Sequence, residues 1–111
     1  MKDYSFNKKY FLNGPYKKSV FIGWKKYLNQ YYWARKFYSK VIKRYKKNGR
    51  LLEIGCGFGD LLTLLEKDFD TFGIDISNYA ISLAKKKAKN SVLKVMGAEQ
   101  IDSLKNSFDV I

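Results

Sequence analysis

A chain of 111 residues has room for one small domain with a single core, and its 46% hydrophobic content excludes the disordered class. The net charge of +12 is placed unevenly: residues 1–50 carry 15 Lys/Arg against Asp3 alone, whereas residues 51–111 carry seven lysines against nine acids. With no histidine and a single cysteine, Cys56, a zinc centre and an internal disulfide are both excluded, and no apolar run reaches the roughly 18 residues that span a bilayer. The N-terminus "MKDYSFNKKYF" lacks the apolar core of a secretory signal, so a cytoplasmic location is expected.

In chain order, residues 1–17 read as an arm containing the turn signal Asn13-Gly14-Pro15. Apolar residues then recur at Val20, Trp24, Tyr27, Tyr31, Ala34, Tyr38, Val41 and Tyr45, in alternating steps of four and three. That spacing predicts a helix, or two abutting helices, from Lys18 to Lys47. A break is expected at Gly23 or Asn29-Gln30, and Asn48-Gly49 supplies the stop. Aromatics at helical spacing are expected to face a core.

From Arg50 the pattern changes. "RLLEI" reads as a buried strand, Gly59–Lys67 as a helix, "DTFGID" as a second strand, and Ser77–Asn90 as a capped helix. Its inward residues are Ala80, Ile81, Leu83, Ala84 and Ala88. "SVLKVM" reads as a third strand and "NSFDVI" as the start of a fourth. This alternation predicts an α/β fold with a parallel sheet. The boundary expected from charge and pattern divides a basic aromatic helical extension, 1–49, from an α/β part, 50–111.

Three glycines in five residues, Gly55, Gly57 and Gly59, sit where the first strand hands over to the first helix. Ligands of open α/β sheets bind at the carboxyl ends of strands, and glycines let the backbone pass close to one. The spacing G-x-G-x-G departs from the dinucleotide pattern G-x-G-x-x-G, and no Lys-Ser/Thr pair follows to make a phosphate loop. An acid, Asp75, ends the second strand 20 residues after Gly55, placed to accept hydrogen bonds from both hydroxyls of a ribose. The competing reading makes Asp75 a helix cap and Glu53 an edge carboxylate in solvent.

"LLEIGCGFGDLL", "GIDIS" and "GAEQIDSLKNSFDVI" together resemble the successive motifs of class I S-adenosylmethionine-dependent methyltransferases, over about Arg50–Ile111. The resemblance implies a Rossmann-like three-layer sandwich with strand order 3-2-1-4 and S-adenosylmethionine as cofactor. It implies that Glu53 faces the methionine ammonium, and that the Gly55-Cys56-Gly57 loop and Gly59 pass the methionine and ribose. Asp75 then holds the ribose hydroxyls and Ile76 lies on the adenine. Relatives carry Gly-Asp-Ala-Glu after the third strand. Here Met96-Gly97-Ala98-Glu99 stand there, so Gly97 replaces the aspartate and either Glu99 or the Ala98 backbone takes the adenine contact. Cys56 is read as an apolar filler in that loop. No catalytic base is evident in residues 51–111, and the methyl acceptor is not identified.

The strand that stops at Ile111 leads us to expect an N-terminal piece of a longer enzyme, with an edge able to pair with another chain. Three readings apply to the basic aromatic extension: a cover over the cofactor site using Tyr4, Phe6, Tyr10 and Phe11; a nucleic-acid surface; or a membrane-surface helix with Trp24, Tyr31, Tyr32 and Trp33 at the interface. The rival to an enzyme is a nucleic-acid-binding protein with the α/β part as scaffold.

Overall fold

The computed structural model describes residues 6–13, 24–105 and 107–111; the side chains of Leu12, Asn13 and residues 24–31 are not among the described features. In chain order the elements are α1 (Lys8–Asn13), α2 (Trp24–Tyr45), β1 (Arg50–Ile54), α3 (Asp60–Leu65), β2 (Asp70–Asp75), α4 (Asn78–Lys87), β3 (Val92–Val95) and a 3-10 helix (Ala98–Leu104). β2 lies between β1 and β3, and both pairings are parallel. Glu53 stands opposite Gly73, and Asp75 opposite Val95. On the free edge of β1, Val110 makes one parallel bridge to Leu51, and Leu52 N–H donates to the Val110 carbonyl at 2.9 Å. This is an isolated bridge rather than a full fourth strand.

Alternation along the strands splits the core in two. Leu51 and Leu93 face the helices and join Leu62 and Leu65 of α3 with Ile81, Ala84 and Ala88 from α4 and its C-terminus. Leu52 and Ile74 face the opposite way and pack with Leu104, with Ile101, Phe108 and Met96 around them. The sheet is therefore covered by helices α2–α4 on one face and by the 3-10 segment on the other. Gly73 lets the core close on the middle strand: a Cβ there would meet Leu62 Cδ1 at 2.6 Å and Cys56 Sγ at 2.9 Å.

Two expectations change. The arm contains a helix, α1, and the segment after β3 forms the 3-10 helix. α2 runs unbroken through Asn29-Gln30, while Gly23 lies outside the described residues. More consequentially, the described part of the apolar stripe read from the spacing faces away from the core; Val20 and the side chains of Trp24, Tyr27 and Tyr31 lie outside the described features. Ala34, Tyr38, Val41 and Tyr45 are all exposed, and Ser39 and Ile42 turn inward instead. The reason lies in the partner helix. α3 offers Asp60 and the turn after it offers Asp68, and these pair with Arg35 at 3.9 Å and Lys43 at 2.7 Å. α2 thus docks through a small polar side chain, one isoleucine and two ion pairs.

Candidate functional site

The glycine loop is built by backbone geometry that only glycine adopts cheaply. Gly55 and Gly57 have φ of +71° and +53°, in the left-handed region. Both the Gly55 and Cys56 N–H groups donate to the Ile74 carbonyl, at 2.8 and 3.0 Å, so the loop folds back over the end of β2. A Cβ added at either Gly55 or Gly57 would meet nothing within 4 Å. The loop backbone therefore borders open space.

Asp75 organises that space. Its Oδ2 accepts the Gly57 N–H at 2.9 Å and its Oδ1 accepts the Ser77 N–H at 2.8 Å. Each oxygen keeps acceptor capacity beyond these bonds. The capping role belongs to Ser77, whose Oγ accepts the Ala80 N–H at 3.0 Å and donates to the Phe6 carbonyl. α1 is thereby fastened to the end of β2. Phe11 packs on Phe58 at 5.1 Å and on Tyr79 at 5.8 Å, and Phe6 meets Tyr10 edge-on at 4.9 Å.

Between α1 and the loop lies a cleft of about 410 Å³. On the sheet side it is lined by Ile54, Gly55, Gly57, Asp75, Ile76, Met96 and Ala98, and on the other by Phe6, Tyr10 and Phe11. A larger cleft of about 520 Å³ shares Phe6 and Ile76 but runs along the start of α4, past Ser77, Asn78 and Ser82. The first one holds the glycine loop and the strand ends, so it is the candidate site. Of the sequence-derived residues, the structure brings Gly55, Gly57, Asp75, Ile76 and Ala98 together there. Phe6, Tyr10 and Phe11 join them, and Tyr4 lies outside the described residues. Met96 was not singled out from sequence. Its signal was its place at the carboxyl end of β3.

Four candidates stand elsewhere. Cys56 is buried in the helix-side core, where burial first and then Glu53 and Asp75 push its thiol up to about 12. Its side chain is a filler without nucleophilic character. Gly59, at φ +78°, turns its missing side chain to Ala84 and Ala88, 3.2 and 3.3 Å from an added Cβ. It lets α3 approach α4. Glu99 does not line the cleft either: its carboxyl folds back over Gly97, with Cδ 2.5 Å from where a Cβ at 97 would stand. The shape of Gly97 thus makes room for Glu99.

Glu53, near the end of β1, does not line the cleft, and its Oε2 is buried without a hydrogen-bond partner among the described residues. Burial raises its carboxyl from 4.5 to about 7, Arg35 opposes this, and Asp60 and Asp75 add to it. The native state therefore holds a proton that the unfolded chain releases. The associated stability is full below 4.5 and is lost as pH rises through about 7. Glu53→Gln, which mimics the protonated acid, should match the parent protein below 4.5 and melt at higher temperature than it above 7. Thermal unfolding across that range checks this, and parallel curves for the two proteins would refute it.

The chain is similar to known proteins. A family model described as a methyltransferase domain matches residues 25–111. A protein of Geobacillus sp. (strain WCH70) named as a methyltransferase is 38% identical over 56 residues, which cover 48% of this chain and 23% of that protein. The TehB-like SAM-dependent methyltransferase of Corynebacterium glutamicum is 25% identical, with a TM-score of 0.56, over 65% of this chain and 41% of its own. The plantazolicin methyltransferase BpumL, solved with SAH, superposes at a TM-score of 0.59 over 92% of this chain and 43% of its own; at 23% identity it speaks to the fold alone. The chain thus spans less than half the length of each of these proteins. The family match takes in β1, the glycine loop, Asp75 and all three strands of the sheet, and on that ground the chain belongs to the methyltransferase domain family.

Proposed function

We propose that this chain is the cofactor-binding part of an S-adenosylmethionine-dependent methyltransferase. The observation that carries the reading is the cleft in which an open glycine cradle, a carboxylate at the end of β2 and an apolar slot converge. Each part of the cofactor meets a fitting group. The unpartnered oxygen of Glu53 suits the methionine ammonium. Gly55 and Gly57 leave room for the methionine and ribose. Asp75 has acceptor capacity left for the ribose hydroxyls, and Ile76, Met96 and Ala98 form an apolar slot for the adenine. When bound, S-adenosylmethionine supplies a methyl group already activated on a sulfonium.

The protein's own share of the work is positioning, which supplies much of the rate in a direct transfer. Asp75 holds the loop in shape through Gly57. The rings of Phe6, Tyr10 and Phe11 keep water from the cleft and present π faces near a cationic ligand. Residues 1–49 on this reading form an extension to the α/β part, and the Val110 bridge marks the fourth strand of a 3-2-1-4 sheet. The rival reading, a scaffold beneath a nucleic-acid-binding arm, gives no use to the cradle or to the unpartnered Glu53 oxygen.

Calorimetric titration of the purified chain tests the proposal. S-adenosylmethionine and S-adenosylhomocysteine should bind in the micromolar range, and NAD should give no heat. A folded chain that takes up NAD and neither of the others would overturn it.

A further inference from the structure

The outward face of α2 carries two parallel ladders, each stepping by four residues. One is apolar and aromatic: Trp33, Phe37, Val41 and Tyr45, with Trp33 62%, Phe37 63% and Tyr45 85% exposed. The other is cationic: Lys36, Lys40 and Arg44. A step of four turns each rung by about 40°, so the ladders slant side by side around the helix, the apolar one rising about 18 Å and the cationic one about 12 Å. The apolar ladder lies opposite Ser39 and Ile42, which face the core, and the cationic ladder flanks it, with Lys36 half-buried and Lys40 and Arg44 exposed. Arg35, Lys43 and Lys46 pair with Asp60, Asp68 and Asp109, whereas no carboxylate among the described residues pairs with Lys36, Lys40 or Arg44. Lys36 holds its ammonium over the rings of Tyr32 and Trp33, at 5.1 and 5.5 Å, so charge and ring are presented together. Residues 24–49 contain no acid.

We propose that this face docks the protein on an anionic lipid surface. An interfacial helix needs an apolar ridge to enter the headgroup boundary and flanking cations to meet lipid phosphates, and Trp and Tyr favour that depth. Both ladders supply this, and no described helix is long and apolar enough to cross a membrane, so the contact is peripheral. The surplus positive charge of residues 1–50 selects an anionic partner and opposes a second copy of the same face. A nucleic-acid strand calls for a charged groove with stacking platforms. This ridge is convex, its third rung is Val41, and the described clefts lie beside α1 instead.

The test is co-sedimentation of the full chain with vesicles of phosphatidylcholine alone or mixed with phosphatidylglycerol, at low and high ionic strength. The expected result is binding to the mixed vesicles only, weakened by salt. Replacing the three cations together (Lys36→Gln, Lys40→Gln, Arg44→Gln) should lower that binding roughly 100-fold. Trp33→Ser with Phe37→Ser should lower it at least about tenfold. Four of the five positions are exposed and Lys36 is half-buried, and an unchanged far-UV spectrum establishes that the variants fold. In a Trp24→Phe background Trp33 is the lone tryptophan, and its emission should shift to the blue on mixed vesicles. Three results would each overturn the proposal: no vesicle binding; binding that ignores all of these variants; or an oligonucleotide or self-association that the variants abolish while vesicles are not bound.

Discussion

Valine in place of Gly57 should eliminate cofactor binding while leaving a folded, cooperatively melting chain. Two effects separate here. The residue sits at φ +53°, so a β-branched side chain incurs strain of roughly 1–3 kcal/mol, which lowers the melting temperature modestly. A Cβ at this position touches no protein atom within 4 Å, so packing is spared, and the isopropyl group projects into the space assigned to the ligand. Gly59→Val provides the contrast. Its Cβ would press on Ala84 and Ala88 at 3.2 and 3.3 Å, so the loss should appear as destabilisation, from α3 being forced off α4. Calorimetry and thermal melts on the two variants decide the matter. A folded Gly57→Val chain that still binds S-adenosylmethionine would remove the loop from the site.

The second large effect is expected at Asp75. Removal of its carboxylate by Asp75→Ala takes away the acceptors for the Gly57 and Ser77 N–H groups and those for the ribose at once. A hydrogen bond to a charged group contributes about 1.5–3 kcal/mol, so the loss of even one to the ribose should lower affinity by roughly one to two orders of magnitude. Asp75→Asn keeps one acceptor oxygen and should lose less. Titration of both variants with S-adenosylhomocysteine measures the difference. Unchanged affinity in the alanine variant would confine Asp75 to a structural role in the loop.

β2 was legible to the residue because "DTFGID" is bounded by a helix end on one side and a capping serine on the other. The cap at Ser77 and the inward faces at Ala80, Ile81 and Ala84 were legible for the same local reason. The glycine cluster and Asp75 announced themselves by residue type at a spacing, and the fold brought them to one cleft. What periodicity alone misjudged was α2. Its 3.6-residue pattern was real, but the choice of which face turns inward was made by Asp60 and Asp68, acids on another stretch of chain. Gly59 and Cys56 were drawn into the site by their place in the motif, whereas the positions of Ala84, Ala88 and Leu62 decide that they serve packing. A cover was one of three uses expected of the arm, and the structure shows Phe6, Tyr10 and Phe11 lining the cleft; α1 itself is only six residues long and has no amphipathic repeat to reveal it.

The bond from Ser77 to the Phe6 carbonyl has a kinetic consequence. The glycine cradle is held by Asp75 and the Ile74 carbonyl, so it is shaped before any ligand arrives. α1, by contrast, is fastened over the same cleft by that serine and by ring contacts. On the proposed reading, the cofactor lies between a wall shaped in advance and a wall held by fewer bonds. Of the two, the six-residue helix resting on Phe58 and Tyr79 is the wall that opens at the lower cost, so the ligand's residence time should lengthen where that helix is pinned more firmly.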